Sequence, residues 1–428
     1  MSSPTAEPSA APLPKAINTL RWTAVTLLVI GGVVNYLDRS TLSIANTTMA
    51  KEFSLGPVEM GLLLSAFSWP YAIANLPAGY LVDKFGPKKM FAWAAVGWSI
   101  AGGLMALASS FGVMYALRVL LGIAESPFFT AGLKVNQRWF HEKDRAMPVA
   151  VVNTGSQIAN AIAPPLLVAL MLVIGWRGMF IIIAALGFVV VAFWLRFYRD
   201  PNVQEMVAIH GNAEGTSTTK KAEAQASWGE LFKRSNTWFM ILGAFGIFYT
   251  IWVYLTWLPG YLQQQLGFTL SQMGWVAMVP YMAGIAGVLF GGWLSNKFVK
   301  GGMNTVLARK IPIAGGAILA AAAVIPAAFV TNVPLVIFLL SVGYFGAQVP
   351  IGCLWTLAAD VAPSNQVASL GAIQNFGGFI GAAVAPIITG AVLAATGSFT
   401  GVFVIGGILL VVGALSYGLF VKDRSQAA

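Results

Sequence analysis

The sequence predicts an all-α polytopic membrane protein of twelve transmembrane helices, arranged as two pseudo-symmetric six-helix bundles. Three observations carry this. Of 428 residues, 57% are hydrophobic and only 9% are charged, whereas a soluble chain carries about 25% charged residues. Apolar stretches recur at the ~20-residue length that spans a ~30 Å hydrocarbon core. Three segments of the first half also reappear, in the same order, in the second.

Residues 1–19 are rich in Pro, Ala and Ser and lack an apolar core, so they read as a disordered cytoplasmic N-terminus. The first apolar run is too long for a signal-peptide core, so no cleaved signal is expected. Spans follow at 20–49, 57–82, 88–108, 111–139, 145–174 and 176–198, giving an N-terminal bundle over 20–199. Residues 200–235 are polar, with no apolar period, and read as a cytoplasmic linker. The second set lies at 236–266, 270–298, 305–329, 332–361, 364–395 and 399–421, giving a C-terminal bundle over 236–421 and a cytoplasmic tail at 422–428. Placing both termini in the cytoplasm puts only Lys51 and Arg177 on the outer face and embeds Arg39 and Arg118, leaving all other basic residues inside. The net charge of +10 is therefore an orientation signal and gives no evidence for a nucleic-acid partner. The one cysteine, Cys353, has no disulfide partner in the chain and reads as a packing residue.

The clearest repeat aligns Asn153-Thr-Gly155-Ser-Gln157-Ile158-Ala-Asn160 through Ala163-Pro164 with Asn375-Phe-Gly377-Gly-Phe379-Ile380 through Ala385-Pro386, without gaps. A second pairs Gly79-Tyr-Leu81-Val-Asp83-Lys84-Phe85 with Gly292-Trp-Leu294-Ser-Asn296-Lys297-Phe298, and a third pairs Ala124-Glu125-Ser-Pro127 with Ala347-Gln348-Val-Pro350. Ordered matches at similar offsets imply parallel repeats, and in a transporter so built the site lies between them near the midplane. The third match sets Glu125 against Gln348, which concentrates ionisable chemistry in the first half.

Four ionisable residues fall at membrane depth: Asp38, Arg39, Arg118 and Glu125. Each costs at least ~2.5–3.5 kcal/mol there, so such residues are normally paired, face a watery cavity and mark a substrate or proton route. Arg118 and Glu125 are seven residues apart, which returns to one helix face about 10 Å along the axis. They read as an anion site and a proton site on one wall; the alternative is a static pair neutralised by neighbours. Asp38 and Arg39 are adjacent, so their side chains diverge by about 100°. Arg39 is the first candidate for a substrate carboxylate, because its planar fork matches one bidentately. Asp38 would be a second proton-sensitive carboxylate or a gating partner, unless both merely hold the first span in place.

Two six-span halves, a long central loop and Gly79-x-Leu-x-Asp83-Lys84-x-Gly86-Pro-Lys88-Lys89 together resemble the major facilitator superfamily over the whole chain. Asn35-Tyr36-Leu37-Asp38-Arg39, and Arg118-Val-Leu-Leu-Gly122-Ile-Ala-Glu125-Ser-Pro127 followed by Arg138-Trp139-Phe140, are similar to the anion:cation symporter family within it. That family includes galactonate, glucarate, hexuronate and phthalate permeases and sialin-type transporters. The resemblance implies proton-coupled uptake of an organic anion by alternating access, with Asp38 and Glu125 handling protons. It further implies substrate contacts at Arg39, Arg118, Tyr36, Tyr71, Gln157, Trp355 and Asn375. Gln157 and Asn375 also stand out unaided, since a lone amide in hydrocarbon needs a partner or water. Asp83 and Lys84 would form a cytoplasmic gate in which Asp83 meets a neighbouring helix N-terminus. The chain departs from the family where His141 follows Trp139-Phe140, where Pro87 replaces a basic residue, and where Gly352-Cys353-Leu354 lacks hydroxyls.

The leading expectation is a proton-driven importer of a sugar acid (aldonate, aldarate or hexuronate) in the cell inner membrane, working as a monomer. It implies no cofactor beyond the proton gradient and no metal. An importer of aromatic carboxylates such as phthalate is the nearest alternative, given apolar span ten and fourteen tryptophans. A drug:proton antiporter fits less well, because span five lacks the Gly-Pro-rich antiporter motif. A membrane enzyme fits poorly, because both histidines, His141 and His210, fall in loops and no nucleophile or metal cluster is apparent.

Overall fold

The structure is a computed structural model that describes residues 14–141, 144–210, 228–362 and 366–423. In chain order the helices are α1 (Lys15–Glu52), α2 (Pro57–Ser65), α3 (Ser68–Phe85), α4 (Pro87–Met105), α5 (Phe111–Glu125), α6 (Pro127–Trp139), α7 (Ala146–Phe197), α8 (Val203–His210) and α9 (Trp228–Phe232). The second half contains α10 (Ser235–Gln264), α11 (Leu270–Lys300), α12 (Thr305–Ala327), α13 (Val333–Gln348), α14 (Ile351–Val361), α15 (Val367–Thr396) and α16 (Thr400–Leu415), which runs into a π-turn over Ser416–Phe420. Nine described stretches are long and apolar enough to cross a membrane. One of them, Met147–Phe197, turns at Gly175 (φ 72°) and makes two crossings. The α2–α3 pair and α4 supply the other two of the twelve.

Local chemistry sets these boundaries. Gly175 and the C-terminal Gly397 of α15 adopt left-handed φ that a side chain would strain. Ser110, Asn304 and Asn332 cap helix N-termini with their side-chain oxygens, and Thr269 with Gln272 forms a reciprocal capping box at α11. The weakest of the sequence repeats has a structural counterpart. Pro127 interrupts span four after Glu125, and Pro350 interrupts span ten after Gln348, because proline cannot donate the backbone hydrogen bond that would continue the helix.

Order extends further at the N-terminal end and centre than the sequence implied. Lys15–Thr19, expected to be disordered, form the first turn of α1, where the Thr19 hydroxyl donates to Lys15 O. The expected linker holds α8 and α9; its residues 211–227, N-terminal residues 1–13 and tail residues 424–428 lie outside the described residues.

The halves meet through α1 against α10, α2 against α15 and α7 against α11. Ser43 Oγ donates to Thr256 O at 2.9 Å, Thr47 to Gln263 Oε1 at 2.9 Å and Ser65 to Ala383 O at 2.6 Å. Gly390 abuts the Pro57 carbonyl and Gly61 lies against Pro386, so two backbones touch where no Cβ would fit. These contacts occupy the membrane end opposite the chain termini. Toward the termini, the described aromatic and hydrogen-bond contacts between the halves reach no further than Tyr71–Phe379 and the Trp252–Ser68 bond. The molecule is sealed at one end and parted at the other.

Candidate functional site

α1 carries Tyr36, Asp38 and Arg39 through the centre of the molecule, and α5 brings Arg118 and Glu125 to the same depth. Asp38, Arg118 and Glu125 are buried, and Arg39 is nearly so. Adjacent positions on α1 aim in different directions, as the helix period requires. Asp38 points at α4, where Gly102 leaves room; a Cβ there would sit 2.8 Å from both carboxylate oxygens. Arg39 points at α5, and its Nε donates to Glu125 Oε2 at 2.5 Å.

The structure therefore selects one pairing that helix periodicity could not. Glu125 takes Arg39 from another helix and not Arg118 from its own. Arg39 is further held flat among Tyr36, Phe67 and Tyr71, each ring centroid 4.8 Å from its guanidinium carbon. Arg118 lies 5.4 Å from the Phe67 ring, and its Nε and Nη1 have no hydrogen-bond partner. The second oxygen of Glu125, Arg39 Nη2 and both amide atoms of Asn35 are buried without a bond in good geometry. Buried polar atoms are rarely left so, and a bound ligand is one way such donors are satisfied. The two arginines and two carboxylates balance in formal charge.

The two arginines line a pocket between the halves with about 500 Å³ of atom-free space, part of it open, whereas neither Asp38 nor Glu125 is among its lining residues. Tyr36, Arg39, Arg118 and Asn160 line it from the first half, and Trp252, Leu255 and Thr256 from the second. Phe67 and Ser68 complete its wall. Ser40, Ser43, Asn160, Ser68, Trp252 and Thr256 were not among the predicted site residues. Asn160 was visible as an amide on the Asn153–Gln157 face, whereas Trp252 had no signal beyond its type.

The remaining expected residues lie elsewhere. Tyr71 stacks on Phe67 at 5.5 Å and on Arg39 but does not line the pocket. Gln157 and Asn375 are half-buried outside it. Trp355 is 57% exposed and packs against Gly371 in its own half, so the structure does not bring it to the arginines. Asp83 meets the Lys134 ammonium at 2.8 Å on α6 of its own half, and not a helix N-terminus. Lys84 sits over Phe85 at 5.3 Å. A cationic side chain within reach outcompetes a helix dipole carrying about half a charge. In the other half, Asn296 accepts from Arg309, which also pairs with Asp360 at 3.4 Å. Cys353 is buried, its thiol 3.4 Å from Gly291 O.

The Major Facilitator Superfamily sequence profile matches residues 28–386, most of the chain. The chain belongs to the Major Facilitator Superfamily. Similar proteins in this superfamily include a probable L-galactonate transporter of Escherichia coli K12, 38% identical over 95% of this chain and 90% of the relative. A probable galactarate/D-glucarate transporter of the same strain is 32% identical over 96% of each chain, and its hexuronate transporter is 31% identical over 94% of each. Such relatives place this superfamily member in the anion:cation symporter branch and make it a transporter, not an enzyme. Among solved structures, a bacterial homologue of the lysosomal transporter Spinster matches with a TM-score of 0.81 at 18% identity, covering 95% of this chain and 98% of that one. A D-xylose-proton symporter matches with a TM-score of 0.74 at 16% identity, covering 95% and 99%. Both share its fold.

Proposed function

We propose that this protein imports a sugar-acid anion, with galactonate the first choice, coupled to protons by alternating access across the cytoplasmic membrane, with both termini in the cytoplasm. The observation that carries the reading is the buried Arg118 guanidinium, unpartnered on Nε and Nη1, lining the interbundle pocket beside the Arg39–Glu125 pair. One arginine stands ready for a carboxylate, and the second is released when Glu125 is protonated or displaced. Arg39 forms a forked contact only after that release, which links anion entry to proton uptake. Asp38, buried at the same depth with its carboxylate against Gly102, is the second candidate for a proton. The galactonate, galactarate/glucarate and hexuronate names of the relatives support the substrate class. The basic residues at the termini end support the orientation, and the parted end would then be the cytoplasmic one.

The test is uptake of radiolabelled D-galactonate and L-galactonate into proteoliposomes of purified protein. An inward proton gradient should drive accumulation above equilibrium, and a protonophore should abolish it. Uptake that ignores the gradient would refute proton coupling, and phthalate uptake in place of both galactonates would replace the substrate class.

A further inference from the structure

We infer that Phe379 is the inner gate of the interbundle pocket: an aromatic wedge on α15 that must swing aside for an anion to pass between the pocket and the parted end. The inference rests on the transport reading above but concerns a residue to which that reading gives no role.

Three observations place the gate. Phe379 lies one turn beyond Ala383 toward the termini, and Ala383 accepts the interbundle bond from Ser65. Its ring meets Tyr71 of the opposite half at 5.0 Å, and Trp252 and Phe248 of its own half at 5.5 and 6.0 Å. Tyr71 stacks on Phe67, and both Phe67 and Trp252 line the pocket, so Phe379 closes a ring of aromatic side chains across the pocket mouth. Beyond this ring, no described aromatic or hydrogen-bond contact joins the two halves nearer the termini.

The internal repeat gives independent support. Phe379 is the counterpart of Gln157 in the gapless alignment of Asn153–Pro164 with Asn375–Pro386. The first repeat thus carries an amide where the second carries a phenyl ring. The backbone around the ring is built for close approach. A Cβ at Gly378 would lie 2.9 Å from the Phe248 ring, and Gly381 lies against the Phe245 carbonyl. Glycines on both sides let α15 carry the ring tightly against α10. Phe379 is only 9% exposed although it stands at the junction with the open vestibule, whereas Phe376, one turn nearer the termini, is 40% exposed.

The test measures access to the pocket, not transport. In a Cys353→Ala background, which has no other cysteine, Leu255→Cys places one thiol on the pocket wall. Detergent-purified protein is reacted with fluorescein maleimide and the labelling rate recorded. Adding Phe379→Ala should raise the rate about tenfold, the factor that matches losing roughly one aromatic pair. Phe379→Trp should keep the parent rate or lower it, and Phe376→Ala should leave it unchanged. Parent-like labelling with Phe379→Ala, within twofold, would overturn the gate. Should the Ala variant aggregate, Phe379→Leu keeps bulk without the ring faces; equal rates for Leu, Trp and Phe would likewise overturn it. If the galactonate uptake assay fails while the labelling difference holds, the substrate reading falls and the gate stands.

Discussion

Replacing Glu125 by Gln removes the one charge that competes with a substrate for Arg39. The pair is formed by Arg39 Nε and Glu125 Oε2 at 2.5 Å, with the glutamate fully buried. Unit charges about 4 Å apart attract by about 4 kcal/mol at an effective dielectric near 20. An anion taking Arg39 from an ionised Glu125 forfeits that attraction but regains part of it through its own carboxylate and the hydration of the displaced one. If a third survives as net cost, about 1.4 kcal/mol, affinity falls tenfold. Glu125→Gln should therefore bind galactonate about tenfold more tightly than the parent while Glu125 is ionised, and the two should converge once falling pH protonates it. Equilibrium binding of radiolabelled galactonate between pH 5 and 8.5 reads this directly. In the parent, the dissociation constant should rise by about tenfold in all as Glu125 ionises, and the Gln variant should lose that slope. Concentrative uptake should fail in the variant while exchange survives. A Gln variant with the parent's slope and affinity would refute the competition argument and move the proton to Asp38.

Arg39→Lys keeps the charge but loses the planar contact with Tyr36, Phe67 and Tyr71 and the forked geometry. Binding should weaken by about 2–3 kcal/mol, roughly a hundredfold, and galactonate should no longer raise the melting temperature. Gly390→Val drives a side chain into the Pro57 carbonyl. At about 1–3 kcal/mol of overpacking, the sealed end should open more often, so a Gln263→Cys reporter at the seal should label several-fold faster. At the linker helix α8, Arg199 donates to both oxygens of Glu205 and holds its carboxyl below the usual carboxylate range, while Asn202 and Glu205 cap each other's backbone. A depressed folded-state pKa stabilises above the unfolded value and is lost as pH falls through the folded one. Hydrogen exchange in Val203–His210 should therefore stay slow until the pH is below the ordinary Glu range, and Arg199→Ala should move that loss to higher pH.

The spans, their pairing into repeats and the four membrane-depth charges were legible because each depends on local composition or fixed spacing. Glu125 and Pro127 could be matched with Gln348 and Pro350 by eye, and both sites break their helices in the same way. Partner choice was not legible. Glu125 and Arg118 share a helix face, but that fixes only direction, whereas the Arg39–Glu125 contact depends on where the tertiary fold places α1 relative to α5. Asp83 likewise found Lys134 through the packing of α3 on α6. Trp355 shows a further limit, since a tryptophan in a membrane helix can face lipid, partner or route, and residue type does not distinguish these.

The glycine crossing of α2 and α15 has a mechanical consequence. Gly390 stands six residues from the end of α15 at Thr396 and twenty-three from its start at Val367, arms of about 9 Å and 35 Å at 1.5 Å per residue. If the halves pivot there, the lever ratio is about four to one. A tilt of about 10° that lifts the short arm by less than the diameter of a water molecule swings the long arm by about 6 Å. The two backbones at the pivot can seal by direct contact, with no bulky plug between them, while the distant ends sweep a vestibule wide enough for a hydrated anion.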